Sequence, residues 1–275
     1  MLKCQTHHNQ TVKCHDPMNE DLKSKILNEI KKSGFPTELE VSNLFQKNGW
    51  EVNFNSYYLD QDENKGREID LVADFCQQKK GEDYTELHFF FIIEVKKELK
   101  KPWIIITTKP TGFERTMGLP NYRTINKSLN FQKVSKAFNS YNQKLHERVG
   151  RSGFEGFNQG KDKLFGSLCN TIKAMNHFKG SNSFASDTST DKMMGYYEPL
   201  IILDGELIEA TLDSESKIVV SEANYLQVKF DYLSPQYPKQ SMGHLIHIVR
   251  KSYLTEFLES RKQHFVKIAK SIMGT

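Results

Sequence analysis

Apolar residues first recur at helical spacing between positions 21 and 32, where Leu22, Ile26, Leu27 and Ile30 predict a short helix. Gly34 and Pro36 punctuate the chain. Thr37 then opens a second helix with the stripe Val41, Leu44 and Phe45, closed by Asn48 and Gly49. After Gly49 the period changes to two: Trp50, Val52 and Phe54 alternate with polar residues, and a polar turn runs from Asp60 to Gly66. REIDLVADF and LHFFFIIEV read as two further strands, separated by QQKKGEDYTE, so a helix is followed by a three-strand meander. PWIIITT reads as another short buried strand, and 124–149 as a long basic amphipathic helix. The glycine-rich stretch GRSGFEGFNQGKDK reads as a mobile linker into a helix at 163–178. Its nearest approach to a phosphate loop, Gly156 to Lys161, has the wrong spacing and is followed by Asp162 where Ser or Thr is needed. GSNSFASDTSTDK is loop-like. EPLIILDGELIEATL, KIVVSEANYLQVKFDYL and HLIHIVR are strand-rich, precede a helix at 252–272, and are expected to extend the same sheet.

The chain has 275 residues, 37% hydrophobic and 26% charged, which excludes a disordered or fibrous protein. The expected organisation is a flexible tail over 1–20 and one elaborated domain over 21–275. That domain comprises a core motif region (35–110), a basic helical region (111–180) and a strand-rich part (195–275). No apolar run approaches the ~18 residues that span a bilayer, so a cytoplasmic protein without membrane contact is expected. Cys4, Cys14, Cys76 and Cys169 show no repeated spacing, which argues against a disulfide framework. Cys4, His7, His8, Cys14 and His15 are zinc-ligand types, but their spacing matches no closed four-ligand module and they read as tail. The net charge of +4 conceals a bias: Lys96 to Lys163 holds 15 Lys or Arg against 5 Asp or Glu, a local +10 that leaves −6 elsewhere. Such a block suits phosphate neutralisation.

The block begins at a cluster with chemistry. Residues i and i+2 of a strand share a face, so the Glu94 carboxylate and Lys96 ammonium project side by side. The 24-residue spacing from Asp70 to Glu94 suits two antiparallel strands and a turn, placing Asp70 opposite them, with Ile69, Leu71, Ala73, Ile93 and Val95 filling the other face. A charge within FFFIIEVKK is expensive to bury unless something uses it. Two converging carboxylates suit a hard cation such as Mg²⁺ or Mn²⁺, and a neighbouring lysine can support charge developing on a phosphate or help deprotonate a water. Glu-x-Lys also occurs at Glu29, Glu98 and Glu215, but only Glu94 combines the apolar strand, an acidic strand upstream and a helix before it. A salt bridge at a strand end is the plainer reading of the same residues.

TELEVSNLFQKNGWEV, GREIDLVADF and FFFIIEVKKE, in the order helix, strand, strand over about 35–98, resemble the PD-(D/E)XK, or restriction-endonuclease-like, nuclease superfamily, with Ile69 in place of its Pro. The resemblance implies an α/β fold: a mixed central sheet flanked by helices, here with a strand-rich C-terminal extension. It implies Mg²⁺, with Mn²⁺ as a substitute, held by Asp70, Glu94 and the backbone carbonyl of Val95, with Lys96 as the catalytic ammonium. It also implies an acid on the first helix. Glu38 lies about 70° and Glu40 about 95° from the centre of the Val41 stripe, which favours Glu38 as a catalytic and metal-binding acid. Glu40 has another use in a Thr37–Glu40 capping box. Lys97, Lys100 and Lys101 read as nucleic-acid-binding contacts, and Trp103, Phe131, Phe138 and Tyr141 as residues able to stack on bases, although helical spacing favours core packing for the two Phe.

The expected function is a metal-dependent DNA endonuclease, with restriction or phage defence as a role implied by analogy. The alternatives are an RNA-cleaving nuclease and a non-catalytic nucleic-acid-binding or assembly module of the same fold. A homodimer or a partner protein is compatible with each. His88, His244 and His247 have neither a nucleophile elbow nor a zinc helix beside them, and they and Cys76 are expected to be structural or surface residues.

Overall fold

The structure, a computed structural model, describes residues 18–81, 84–112, 123–126, 128–141, 147–157, 162–181, 191–237 and 243–274. Most of the expected tail, with Cys4, His7, His8, Cys14 and His15, lies outside the described residues, as do most of GSNSFASDTSTDK and part of the glycine-rich stretch. The chain divides into two compact units between Pro36 and Thr37. In the first, helix α1 (Glu20–Lys32) is capped by the Asn19 side chain, which accepts from the Asp21 N–H at 2.9 Å. Lys25–Asp21 and Lys32–Glu29 pairs at 2.7 Å line its surface. Helix α2 (Phe35–Lys47) starts two residues before the expected cap. Pro36 occupies its first turn, where a missing N–H is harmless. Thr37 is therefore buried inside the helix, and no Thr37–Glu40 capping box forms.

The second unit contains the meander. Strands β1 (Glu51–Asp60), β2 (Lys65–Lys79) and β3 (Thr85–Thr108) pair antiparallel. PWIIITT is the far end of β3, separated from its start by an irregularity between Glu98 and Trp103. The long helix expected at 124–149 is instead a short strand β4 (Arg123–Ile125), helix α3 (Phe131–Tyr141) and the start of strand β5 (Val149–Glu155). Two of the glycines read as linker, Gly150 and Gly153, belong to β5, which lies close to its neighbours. A Cβ on Gly150 or Gly153 would stand 2.6 Å from an Ile105 methyl.

Helix α4 (Lys163–Ser181), strands β6 (Lys192–Leu212), β7 (Ile218–Glu222), β8 (Tyr225–Phe230) and β9 (His244–Arg250), and helix α5 (Leu254–Met273) complete the unit. The result is one large mixed sheet flanked by helices, and the C-terminal strands extend it as expected. One core gathers Val41 and Phe45 of α2, Phe138 of α3 and Phe265 of α5 against Phe89 and Phe91. The other packs Leu168 and Ile172 of α4 on Ile92, Trp103 and Ile201.

Strand β3 is the spine. Parallel β6 runs along one edge over most of its length. On the other edge, the β2 ladder ends at Leu71–Ile93 and β5 joins only at Trp103, leaving residues 94–102 without a strand partner. The ladders β3–β5–β8–β9–β6–β3 form a closed circuit. The period-two alternation slips beside this gap. Asn55, level with Asp70, has a positive φ of 48°, so Val52 joins one core and Tyr58 the other. Across the same step Ile69 packs in the opposite core from Leu71 and Ala73, contrary to strict alternation.

Candidate active site

Where β2 leaves β3, a backbone N–H loses its ladder partner. The Asp70 carboxylate replaces it, accepting from the Val95 N–H through Oδ2 at 2.6 Å. A strand residue points its N–H and C=O to the same edge, so the Val95 carbonyl also faces the fork. Glu94 is only 3% exposed, and its Oε1 lies 2.7 Å from the Lys96 ammonium. Asn170 of α4 donates a further side-chain hydrogen bond to Glu94. The structure thus brings Asp70, Glu94 and Lys96 together.

Electrostatics ties in the helix acid. Burial pushes the Glu38 carboxyl above its ordinary range and Asp70 pushes it further, with Lys96 opposing. Glu94 is raised too, by burial first, with Lys96 pulling it down and Asp70 up. Burial disfavours the Lys96 cation, but Glu94, Asp70 and Glu38 outweigh it and the net shift is upward. Lys96 therefore holds its proton at neutral pH. Three carboxylates facing one ammonium leave a surplus of negative charge. Glu40 belongs elsewhere. It pairs with Lys251 at 2.8 Å, beside a Lys251–Asp204 pair at 2.9 Å, and lines an open cleft of about 630 Å³ with Leu99 and Arg250.

Two contributors have no short-range sequence signal. Asn170 arrives from a helix 76 positions after Glu94, and its contact is purely tertiary. Tyr58 is buried without a hydrogen-bond partner for its hydroxyl, and its ionisation is pushed well up by burial and then by Glu94. Asn170 comes from the α4 side of the sheet and Glu38 from the α2 side, so the fork is served from both faces.

Lys97 and Lys100 are exposed and Lys101 is half-buried, all close along the chain to the site. Gly205 lets β6 approach this part of β3, since a Cβ there would stand 2.2 Å from the Glu98 carbonyl oxygen. Glu98 is held below its usual range by the Lys163 hydrogen bond and charge, with an Nζ–Oε2 distance of 2.5 Å. Trp103 is fully buried and cannot stack on a base. Phe138 packs in the core with the Arg123 guanidinium 4.4 Å from its ring centre, whereas Phe131 is exposed rather than packed. The Tyr141 side chain lies outside the described residues. Of the histidines, His244 and His247 are buried and His88 is half-buried. His247 contacts Tyr225 Oη at 2.7 Å and Glu198 at 3.7 Å.

Among the described residues no helix is long and apolar enough to cross a membrane. No family model, curated protein or solved structure matches the chain.

Proposed function

We propose that this chain is a Mg²⁺-dependent nuclease with a restriction-endonuclease-like fold that hydrolyses phosphodiester bonds in DNA. The observation that carries the reading is the meeting of Asp70, Glu94 and Lys96 at the strand fork, within electrostatic reach of Glu38. The donor set fits a hard divalent cation: Asp70 adds to burial in raising the proton affinity of Glu38 and Glu94, a strain that a cation would relieve. Glu38, Asp70, Glu94 and the Val95 carbonyl would hold it. When bound, the cation supplies Lewis acidity to the scissile phosphate.

The chain's own residues do the rest. The backbone bond to Val95 fixes Asp70 before any ligand arrives, and it engages Oδ2 alone. Lys96, held protonated by its three acids, supplies positive charge to a phosphate as negative charge builds on it. This makes it a charge stabiliser rather than a base. Exposed Lys97 and Lys100 extend the positive surface for neighbouring phosphates.

The test incubates the purified chain with plasmid DNA in Mg²⁺, in Mn²⁺ and in EDTA, beside Asp70→Ala and Lys96→Ala. Cleavage is expected only with metal, and each substitution should lower it by roughly 10²–10³-fold or more. Cleavage that survives either substitution sinks the assignment. Salt-sensitive DNA binding without cleavage, indifferent to Asp70→Ala, would point to a binding module.

A further inference from the structure

The outer part of the β2–β3 hairpin carries a second cluster of metal-ligating side chains, outside the acidic site. Cys76 and His88 are cross-strand partners, and Glu86 faces Gln78 two residues along the ladder, on the same face. Cys76 Sγ lies 3.6 Å from Glu86 Oε1 and 3.8 Å from His88 Nε2, while His88 Nε2 and Glu86 Oε1 are 3.2 Å apart. One thiol, one imidazole and one carboxylate thus converge on a single point.

Those three separations can be compared with zinc coordination. With Zn–S of about 2.3 Å and Zn–N and Zn–O of about 2.0–2.1 Å, a tetrahedron requires S···O of about 3.5 Å, S···N of about 3.6 Å and N···O of about 3.3 Å. The observed triangle matches each edge within about 0.2 Å. The surrounding residues also fit. The Asp74 carboxylate accepts from His88 Nδ1 at 2.7 Å, which fixes the ring with Nε2 facing the cluster. Gln78 donates to Glu86 Oε1 at 2.8 Å and Tyr84 to Oε2 at 3.1 Å, orienting the carboxylate. All three ligands are half-buried, so a fourth position can be open to solvent. A soft thiolate beside an imidazole selects zinc over the hard cations suited to the fork.

We infer that Cys76, Glu86 and His88 form a zinc site, with Asp74 as the residue that orients His88 and water as the fourth ligand. Binding replaces the protons on Cys76 Sγ and His88 Nε2 with Zn–S and Zn–N bonds and releases both to solvent, with no change of oxidation state. The ion clips β2 to β3 at the end of the hairpin remote from the fork.

The test uses full-length protein stripped with EDTA, dialysed into excess Mg²⁺ and titrated with Co²⁺. A thiolate-to-cobalt charge-transfer band saturating at one equivalent and displaced by Zn²⁺ is expected. The band should persist in a Cys4→Ser/Cys14→Ser chain and vanish in Cys76→Ser. Asp74→Asn, which leaves all three ligands in place, should weaken binding about 10–100-fold. Absence of the band in the parent chain, or its survival in Cys76→Ser, overturns the inference. Far-UV circular dichroism of each variant identifies any loss that reflects misfolding. If Cys76→Ser misfolds, Cys76→Ala and His88→Gln replace it, with the same result expected.

Discussion

Replacing Lys173 with methionine removes one cation while keeping the length and most of the volume of its stem. In the folded chain Lys173 Nζ contacts both Asp60 oxygens, at 3.0 and 2.9 Å, and Asp62 at 3.1 Å. Asp60 is 1% exposed, so Lys173→Met would leave a buried carboxylate with one cation, the Arg67 Nε at 3.0 Å, and the backbone N–H groups of Asp62, at 3.0 Å, and Glu63. A 2.9 Å ion pair at an effective dielectric of about 20 is worth up to ~6 kcal/mol before desolvation, and the remaining Arg67 offsets part of the loss. Breaking a buried pair from one side typically costs about 3–5 kcal/mol, and about 3 kcal/mol is expected here. At about 2–4 °C per kcal/mol for a unit of this size, the melting temperature should fall by roughly 6–12 °C. Urea denaturation of the parent, Lys173→Met, Asp60→Asn and the double variant measures this directly. The double variant should recover at least half of the loss, because the buried Asp60 charge is gone. A loss below about 1 kcal/mol, or a double variant no better than Lys173→Met, would refute the reasoning. There is also a functional readout. Asn170 lies one helical turn before Lys173 on α4, so loosening this anchor should reduce cleavage beyond the loss of folded protein.

Glu94→Gln should melt at or above the parent chain in EDTA at neutral pH, because an ionised Glu94 with a raised proton affinity destabilises the fold. That contribution worsens as pH rises through the Glu94 titration, so the gap between the two chains should narrow on acidification. The variant should also lose the stabilisation of about 2.7 kcal/mol that Mg²⁺ at 100 times its Kd gives the parent, as read by calorimetry. A parent chain indifferent to Mg²⁺ would contradict this. Burial depresses His244 to about 4, with Asp231 opposing and Lys179 assisting. The unfolded chain then binds the extra proton first, so this stability is complete above the ordinary histidine range near 6.5 and is lost as pH falls toward 4. The loss is about 3 kcal/mol in total, and His244→Gln should flatten the slope in urea midpoints measured across that window.

The legible parts of the molecule were those governed by short periodicities. The Val41, Leu44, Phe45 stripe located α2, and alternation around Asp70 and Glu94 located the meander and aligned two carboxylates with a lysine. Three features resisted such a reading, each for a physical reason. Asn170 and Tyr58 reach the fork through tertiary packing, which no local spacing reports. The glycines of β5 resemble a linker because the signature of flexibility is also the signature of close packing, here against Ile105. The slip at the level of Asn55 and Asp70 runs through both strands, so Ile69 lies in the opposite core from Leu71; in β1 it coincides with the positive φ of Asn55. The choice between Glu38 and Glu40 rested on a modest difference in helical angle, and the packed chain adds Lys251 as a separate counter-charge for Glu40.

The closed circuit of ladders has a consequence for how the fork keeps its shape. In an open sheet a strand can slide by two residues at the expense of one interface. Here β3 is held on both edges, so advancing it breaks its ladders with β2, β5 and β6 together. The level of Glu94 relative to Asp70 follows from the β2–β3 register, which ends at Leu71–Ile93, and the circuit anchors the β3 side of that pairing in the way a fastened chain holds one of its links. Thinning the hydrophobic core should leave fewer folded molecules, while each molecule that folds presents the same arrangement of carboxylates and ammonium.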